Sequence, residues 1–153
     1  METDLFNIDT ISEVIYNKNM HKPIHKHLII RAETNKTPTD QYMVEKWMRE
    51  LINDIGMVIC KGPISAYVDQ PGNKGLTCVT IIETSHVSMH VWDETNPGLL
   101  QLDVYTCGPF DPKIVFNKLK ESFEPVKIQW KYLDREHDLT EEAIDEKTLD
   151  RTI

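Results

Sequence analysis

Two consecutive segments of the chain alternate between apolar and polar residues, and a short turn joins them. The first segment is His86–Trp92, the second is Leu99–Cys107, and Asp93–Gly98 lies between them. A period of two residues is typical of a strand with one buried face, and so short a link favours neighbouring antiparallel strands. The sequence therefore predicts a β-hairpin, and around it an antiparallel sheet that buries one of its faces.

The rest of the chain adds further strands and two helices. One helix is predicted to open at Thr37–Asp40 and to end at Gly56, and a second follows the N-cap Asp111 with Pro112 as its first residue. The remaining strands are predicted at Lys26–Glu33, Met57–Tyr67, Leu76–Thr84 and Val126–Tyr132. The apolar helix stripes are Val44, Met48, Leu51, Ile55 and Val115, Phe116, Leu119, Phe123. This order predicts an α+β fold, a two-layer α/β sandwich whose antiparallel sheet carries two helices on one face.

The chain length of 153 residues fits one domain with extensions. Residues 1–25 are a weakly patterned N-terminal extension, in which a short amphipathic helix is the only predicted element. Residues 26–133 hold the predicted sheet and helices, and 134–153 form an acidic C-terminal tail that we expect to be solvated. His21, His25 and His27 have spacing that a metal site could use, but on an unpatterned segment we expect them to be solvated.

Charge and composition exclude several classes of protein. Seventeen basic against 25 acidic residues give a net charge of −8, which argues against a nucleic-acid surface. No apolar run approaches the ~20 residues of a membrane span, and no signal peptide is recognisable, so a cytoplasmic protein is expected. The three cysteines, Cys60, Cys78 and Cys107, are odd in number and lack C-x-x-C spacing, so neither a disulfide framework nor a zinc site is predicted.

The polar face of the predicted hairpin carries residue types that are uncommon on a solvated sheet. Three interpretations stay open from the residues alone. In the first, the face is covered by solvent or a partner and has no catalytic role. In the second it holds a metal, and in the third it is a catalytic site using Cys107 and His90. A metal is disfavoured because His86 and His90 would lie ~13 Å apart along one strand. The face comprises His86, Ser88, His90, Trp92, Gln101, Asp103, Tyr105 and Cys107.

Two strings in this region resemble one family. Thr84–Glu94 (TSHVSMHVWDE) and Leu102–Gly108 (LDVYTCG) are similar to the paired motifs S-H-x-S-x-H-x-W-x-E and D-V-[FY]-T-C-G of the S-adenosylmethionine decarboxylases. The likeness is to the short bacterial and archaeal proenzymes, which some phages also carry. It extends over about residues 26–133, with supporting matches at Lys26–Glu33, Gly75–Thr77 and Pro109.

The resemblance implies an enzyme that processes itself. In the family the motif serine attacks the preceding carbonyl, the resulting ester eliminates, and the new N-terminus carries a pyruvoyl group. Here the nucleophile would be Ser85 and the cut would fall between Thr84 and Ser85. His90 matches the base that removes the α-proton, and Thr77 matches a processing hydroxyl that is usually serine.

The resemblance also implies the chemistry of the mature enzyme. The pyruvoyl carbonyl forms a Schiff base with the substrate amine and accepts electrons while carbon dioxide leaves, so that neither a metal nor pyridoxal phosphate is expected. Cys107 matches the thiol that reprotonates the carbanion. Trp92 and Glu94 match residues that line the S-adenosylmethionine pocket across the interface of a homodimer, and Tyr67 is the nearest aromatic to the pocket motif F-x-P-x-G. The expected role is supply of the aminopropyl donor for polyamine and spermidine biosynthesis.

Two departures from the family pattern define the alternatives. Thr84 stands where the family usually has glutamate, with Glu83 one position early, and this prompts the alternative of an uncleaved, non-catalytic homologue. Val68–Lys74 replaces the usual pocket loop, and this prompts the alternative of a pyruvoyl-dependent decarboxylase for a basic amino acid such as arginine or ornithine.

Overall fold

The computed structural model describes residues 24–144, which form one six-stranded antiparallel sheet and two helices. The predicted amphipathic helix in residues 1–25 and the position of His21 lie outside the described residues. The strands follow the order β2-β3-β4-β5-β1-β6 across the sheet. Their bounds are β1 Lys26–Thr34, β2 Ile59–Val68, β3 Gly75–Ile82, β4 Ser85–Trp92, β5 Gly98–Thr106 and β6 Pro125–Asp134. The predicted hairpin is β4–β5, and its two strands pair directly from Ser85 opposite Thr106 to Trp92 opposite Leu99.

Both helices begin where the sequence predicts, and each follows a capping aspartate. Helix α1, Gln41–Asp54, begins after Asp40, whose carboxylate accepts a hydrogen bond of 2.8 Å from the backbone N–H of Met43. Helix α2, Pro112–Phe123, begins after Asp111, whose carboxylate accepts one of 3.0 Å from the N–H of Lys113. Each cap satisfies an N–H group that has no partner within the helix.

One hydrophobic core lies between the helices and one face of the sheet. The apolar residues of the hairpin all point into it, as strand parity predicts. They are Val87, Met89, Val91, Leu100, Leu102 and Val104, each at most 2% exposed. The helix stripes meet them, with Val44, Met48, Leu51, Val115, Phe116 and Leu119 almost fully buried. The predicted α+β sandwich with both helices on one face is confirmed.

The opposite face of the sheet, called the open face here, is not covered by any element between residues 24 and 144. It carries the polar residues of β4 and β5, and His27 of β1 beside them. It also carries apolar side chains that are 37–61% exposed, namely Ile29, Ile64, Val79 and Ile81. A face that mixes histidines with exposed aliphatic residues differs from an ordinary solvated sheet.

The first part of the acidic tail folds back onto the domain, although most of residues 135–143 are exposed, so the prediction of a solvated tail is corrected only where the segment docks. After β6 the chain turns back, and Glu141 forms a bridge with Leu133. Ile144 is only 7% exposed and belongs to the core cluster. The Lys26 ammonium pairs with the carboxylates of Glu142 and Asp134, so this segment is attached to β1 as well. The charge pattern did not reveal this docking because one apolar residue, Ile144, anchors it.

Between residues 24 and 144, neither helix has the length and apolar character that crossing a membrane requires.

Candidate active site

The junction between Thr84 and Ser85 is a tight connection between two neighbouring strands. Ile82 of β3 pairs directly with Ser85 of β4, so that Glu83 and Thr84 alone make the turn. Ser85 has a φ of +141°, a region of backbone conformation that side chains other than glycine avoid. Such a conformation costs on the order of 1–3 kcal/mol and is found at functional sites more often than elsewhere. The predicted point of cleavage is thus a strained point of the backbone.

The carbonyl group of Thr84 is held by the loop that carries Cys107. Its oxygen accepts a hydrogen bond of 2.8 Å from the backbone N–H of Cys107. A donor in this position withdraws electron density from the carbonyl carbon and stabilises negative charge on the oxygen when a nucleophile attacks. The contact also places the backbone of Cys107 at the Thr84–Ser85 junction.

The loop after β5 is fixed by its own side chains. The Thr106 hydroxyl accepts a hydrogen bond of 2.7 Å from the N–H of Gly108 and donates one of 2.9 Å to the Gly108 carbonyl. The Thr84 hydroxyl donates to the sulfur of Met57 at 3.1 Å. These contacts hold the donor N–H of Cys107 in a fixed place relative to the Thr84 carbonyl.

Thr77 and His90 form a second polar pair, on the open face. They are directly opposite each other on β3 and β4, and Thr77 Oγ1 lies 3.1 Å from His90 Nδ1. Two of the three residues with a predicted role in processing, Thr77 and His90, are therefore in hydrogen-bond contact with each other.

The Thr77–His90 pair is distant from Ser85 within one protomer. His90 is five residues beyond Ser85 along a continuous strand, which corresponds to ~16 Å at ~3.3 Å per residue. The nucleophile and the predicted base are thus on one strand but at its two ends.

Trp92 and Glu94 contact the loop between β2 and β3. The indole Nε1 of Trp92 donates to the Asn73 side-chain oxygen at 3.1 Å. The Glu94 carboxylate accepts hydrogen bonds from the N–H groups of Gly72 and Lys74 at 2.8 and 3.3 Å. Two of the three residues predicted to bind substrate, Trp92 and Glu94, therefore fix the loop whose sequence departs from the family pattern.

Tyr67 meets this group through Asp93, which stands between Trp92 and Glu94 in the sequence. It pairs with Leu76, a core residue, so its side chain lies on the helix side of the sheet at the edge strand. Its hydroxyl donates to the Asp93 carboxylate at 2.8 Å, and this hydrogen bond raises the pKa of Tyr67. His90 and Trp92 project from the other face.

The three cysteines have different surroundings. Cys78 is fully buried in the core, and burial raises the pKa of its thiol to about 12, so it stays protonated at neutral pH. Cys60 is exposed on the edge strand β2. Cys107 is partly buried beside the Thr84–Ser85 junction, where a thiol can serve as a proton donor.

A cluster around Tyr105 escaped the sequence analysis. The Tyr105 hydroxyl lies 3.1 Å from Nδ1 of His25, and the Arg135 guanidinium stacks 4.1 Å above its ring centroid. His27 pairs with Asp103 at 3.1 Å. The expectation that His25 and His27 are solvated is therefore wrong. Strand parity could place His27 on a face, but the pairing of β1 with β5 is a long-range contact that no local pattern indicates.

Within the described range 24–144, no three side chains of His, Cys, Asp or Glu come together as a metal ion would require.

Comparison with known proteins decides the family. The model of the S-adenosylmethionine decarboxylase family matches residues 26–136, most of the chain. This chain belongs to the S-adenosylmethionine decarboxylase family. It is 44% identical over 64 residues to the S-adenosylmethionine decarboxylase proenzyme of Pyrobaculum arsenaticum, covering 41% of this chain and 50% of that protein. It is 37% identical over 73 residues to the proenzyme of Pyrobaculum aerophilum, covering 47% and 56%.

These alignments span about half the length of the curated relatives. The crystal structure of the adenosylmethionine decarboxylase of Aquifex aeolicus is similar, with a TM-score of 0.57 and 22% identity over 75% of this chain and 92% of that one. At this level of identity the likeness establishes the fold of the family, which the strands and helices described above share.

Proposed function

We propose that this family member is a proenzyme that cleaves itself between Thr84 and Ser85 and then decarboxylates S-adenosylmethionine. The observation that carries the proposal is the Thr84–Ser85 junction, where a strained serine follows a carbonyl that accepts a hydrogen bond from the Cys107 N–H. A hydroxyl, an activated carbonyl and stored backbone strain are what an N-to-O acyl shift requires. The decarboxylation step rests on family membership.

The residue types at the junction fit formation of a pyruvoyl group from Ser85. Attack of the Ser85 oxygen on the Thr84 carbonyl carbon turns the amide into an ester and releases strain at Ser85. Loss of the α-proton then expels the Thr84 carboxylate, and hydrolysis releases ammonia. When formed, the group supplies a carbonyl that accepts the electron pair released by decarboxylation. The thiol of Cys107, whose backbone N–H is bonded at the junction, is the proposed proton donor that this chemistry requires next.

Trp92 and Glu94 are proposed to shape the substrate pocket. They hold the Val68–Lys74 loop in place through Gly72, Asn73 and Lys74. The indole face of Trp92 suits an adenine ring or a sulfonium cation, and carboxylates suit ribose hydroxyls. Tyr67 is proposed to act indirectly, by fixing Asp93 beside this loop.

The functional form is proposed to be a homodimer that covers the open face. His90 and Ser85 lie ~16 Å apart in one chain. A two-fold dimer with its open faces in contact and its two β4 strands antiparallel would bring the His90 of one protomer to the Ser85 of the other. The exposed side chains of Ile29, Val79 and Ile81 would then be buried, which favours association.

The test uses the purified full-length chain and carboxyl-labelled substrates. We expect labelled carbon dioxide from S-adenosylmethionine, and none from arginine or ornithine. The variant Ser85→Ala, which lacks the hydroxyl, is expected to release none. Release from arginine or ornithine would replace the proposed substrate by a basic amino acid, and no release from any of the three would favour a non-catalytic homologue.

A further inference from the structure

We propose that His86 is the base that accepts the Ser85 hydroxyl proton in the first step of self-cleavage, a role distinct from that of His90. The inference rests on the proposed function and assigns a residue to its first step. Ser85 Oγ lies 3.3 Å from His86 Nδ1, within hydrogen-bond distance. In the neutral tautomer with the proton on Nε2, Nδ1 is free to accept the proton of the hydroxyl.

The His86 ring is held by a neighbouring aromatic residue. It makes an edge contact with Tyr105, with ring centroids 5.6 Å apart and an interplanar angle of 65°. Tyr105 is fixed in turn by its hydrogen bond with His25 and by the Arg135 guanidinium, which stacks above its ring. A ring held in this way is directed towards Ser85 before the reaction begins, which lowers the entropy cost of proton transfer.

The geometry separates His86 from His90. Within one protomer His86 contacts the Ser85 hydroxyl, whereas His90 lies ~16 Å along the strand and contacts Thr77. The two histidines point from the same face of β4. Two proton transfers are needed for cleavage, one from the hydroxyl and one from the α-carbon, so a separate base for each is chemically reasonable.

The proposed step is a balanced isomerisation. The O–H bond of Ser85 breaks and its proton goes to His86 Nδ1, while the oxygen forms a bond to the Thr84 carbonyl carbon. Negative charge on the Thr84 oxygen is stabilised by the N–H of Cys107. The C–N bond then breaks, and the departing nitrogen takes the proton back from His86. The product is an ester with the same atoms, and no oxidant, reductant or co-reactant is consumed.

The step predicts which species accumulates in each variant. Without the His86 base, the chain stops before the ester and remains an ordinary amide. Without the His90 base, the chain reaches the ester and stops before elimination. Hydroxylamine distinguishes them, because it cuts an ester bond in the backbone under mild conditions and leaves amides intact.

The experiment follows the intact mass of freshly purified full-length chains with and without hydroxylamine. In His86→Asn the amide oxygen of the side chain can still accept a hydrogen bond but cannot act as a base at neutral pH. We expect its cleavage to be slower than wild type by on the order of 100-fold, the lower end for loss of a general base, and hydroxylamine to leave it whole. His90→Ala should instead be cut by hydroxylamine into fragments 1–84 and 85–153. His137→Asn, at another exposed histidine, is the matched control and should cleave like wild type.

A second variant tests the chemical role directly. His86→Ala should be slow, and added imidazole should restore its cleavage because removal of the ring leaves a space beside the Ser85 hydroxyl. Cleavage of His86→Asn at the wild-type rate, accumulation of its ester, or failure of imidazole to rescue His86→Ala would each overturn the assignment of His86. A wild-type chain that stays whole would overturn the proposed function itself, which separates the two failures.

Discussion

At the residue scale, Ser85 combines a nucleophilic hydroxyl with a backbone conformation that suits glycine. Its φ of +141° is imposed by the tight connection from Ile82 and by pairing with Thr106. Cleavage at Thr84–Ser85 would release this strain, since the bond that constrains the serine is the one that breaks. The energy stored there is on the order of 1–3 kcal/mol.

The strain can be measured in chains that lack the hydroxyl and so stay whole. We expect Ser85→Gly to be more stable than Ser85→Ala by about 1 kcal/mol, because glycine accepts this φ while alanine keeps the strain. Chemical denaturation of the two variants gives the difference. Ser88, in the middle of the same strand, is the control position, and there glycine should be less stable than alanine. If the glycine variant is less stable than the alanine variant at position 85 as well as at position 88, the result would contradict a strained Ser85.

The chemical residues of the candidate site could be predicted from the motif, while their arrangement could not. Ser85, His90, Thr77 and Cys107 were predicted from the resemblance to the family motifs, and the structure places Thr77 against His90. The hydrogen bond from the Cys107 N–H to the Thr84 carbonyl is a backbone contact, and side-chain motifs carry no information about it.

At the scale of the elements, the register between β3 and β4 determines which side chains meet. Thr77 is opposite His90, and a shift by one residue would move Thr77 to the core face. The Thr77 hydroxyl can fix the orientation of the His90 ring through Nδ1. We interpret Thr77 as a positioning residue for the elimination step.

This interpretation predicts different results for two substitutions at Thr77. Thr77→Ser keeps the hydroxyl and should cleave at a rate close to wild type. Thr77→Val keeps the shape but removes the hydroxyl, and should accumulate ester that hydroxylamine cuts. The fraction of each species is measured by intact mass over time. Equal rates for the two variants would show that the hydroxyl has no part in orienting His90.

The strands and helices were predictable because each carries a local signal. Alternation identified β4 and β5, the segment Thr37–Asp40 indicated the start of α1, and the cap Asp111 with Pro112 identified the start of α2. The position of β1 between β5 and β6 depends on contacts between distant parts of the chain. For the same reason, the cluster of His25 and Tyr105 was not found.

At the scale of the whole molecule, the architecture has two layers, and no element among residues 24–144 covers the open face of the sheet. The polar alternation of β4 and β5 predicted this face, but nothing local in the sequence indicates what lies against it. The proposed occupant is a second protomer, which would account for the separation of Ser85 and His90 on one strand.

A mixed dimer tests this arrangement. We expect neither Ser85→Ala nor His90→Ala to cleave alone. When the two are co-expressed with different tags, the His90→Ala chain should be cut, because its intact Ser85 meets the His90 of its partner. Co-expression of His90→Ala with the double variant Ser85→Ala/His90→Ala is the control and should leave both chains whole. Failure of the first mixture to cleave, with mixed dimers present, would contradict a site shared between protomers.

The most direct test of the central claim is the intact mass of freshly purified wild-type protein under denaturing conditions. Self-cleavage predicts two fragments, 1–84 and 85–153, with the second lighter by one ammonia than a serine-terminated chain and reactive towards carbonyl reagents. A single uncut mass that persists through long incubation would contradict the account. Thr84→Glu would then show whether the residue before Ser85 is what prevents cleavage.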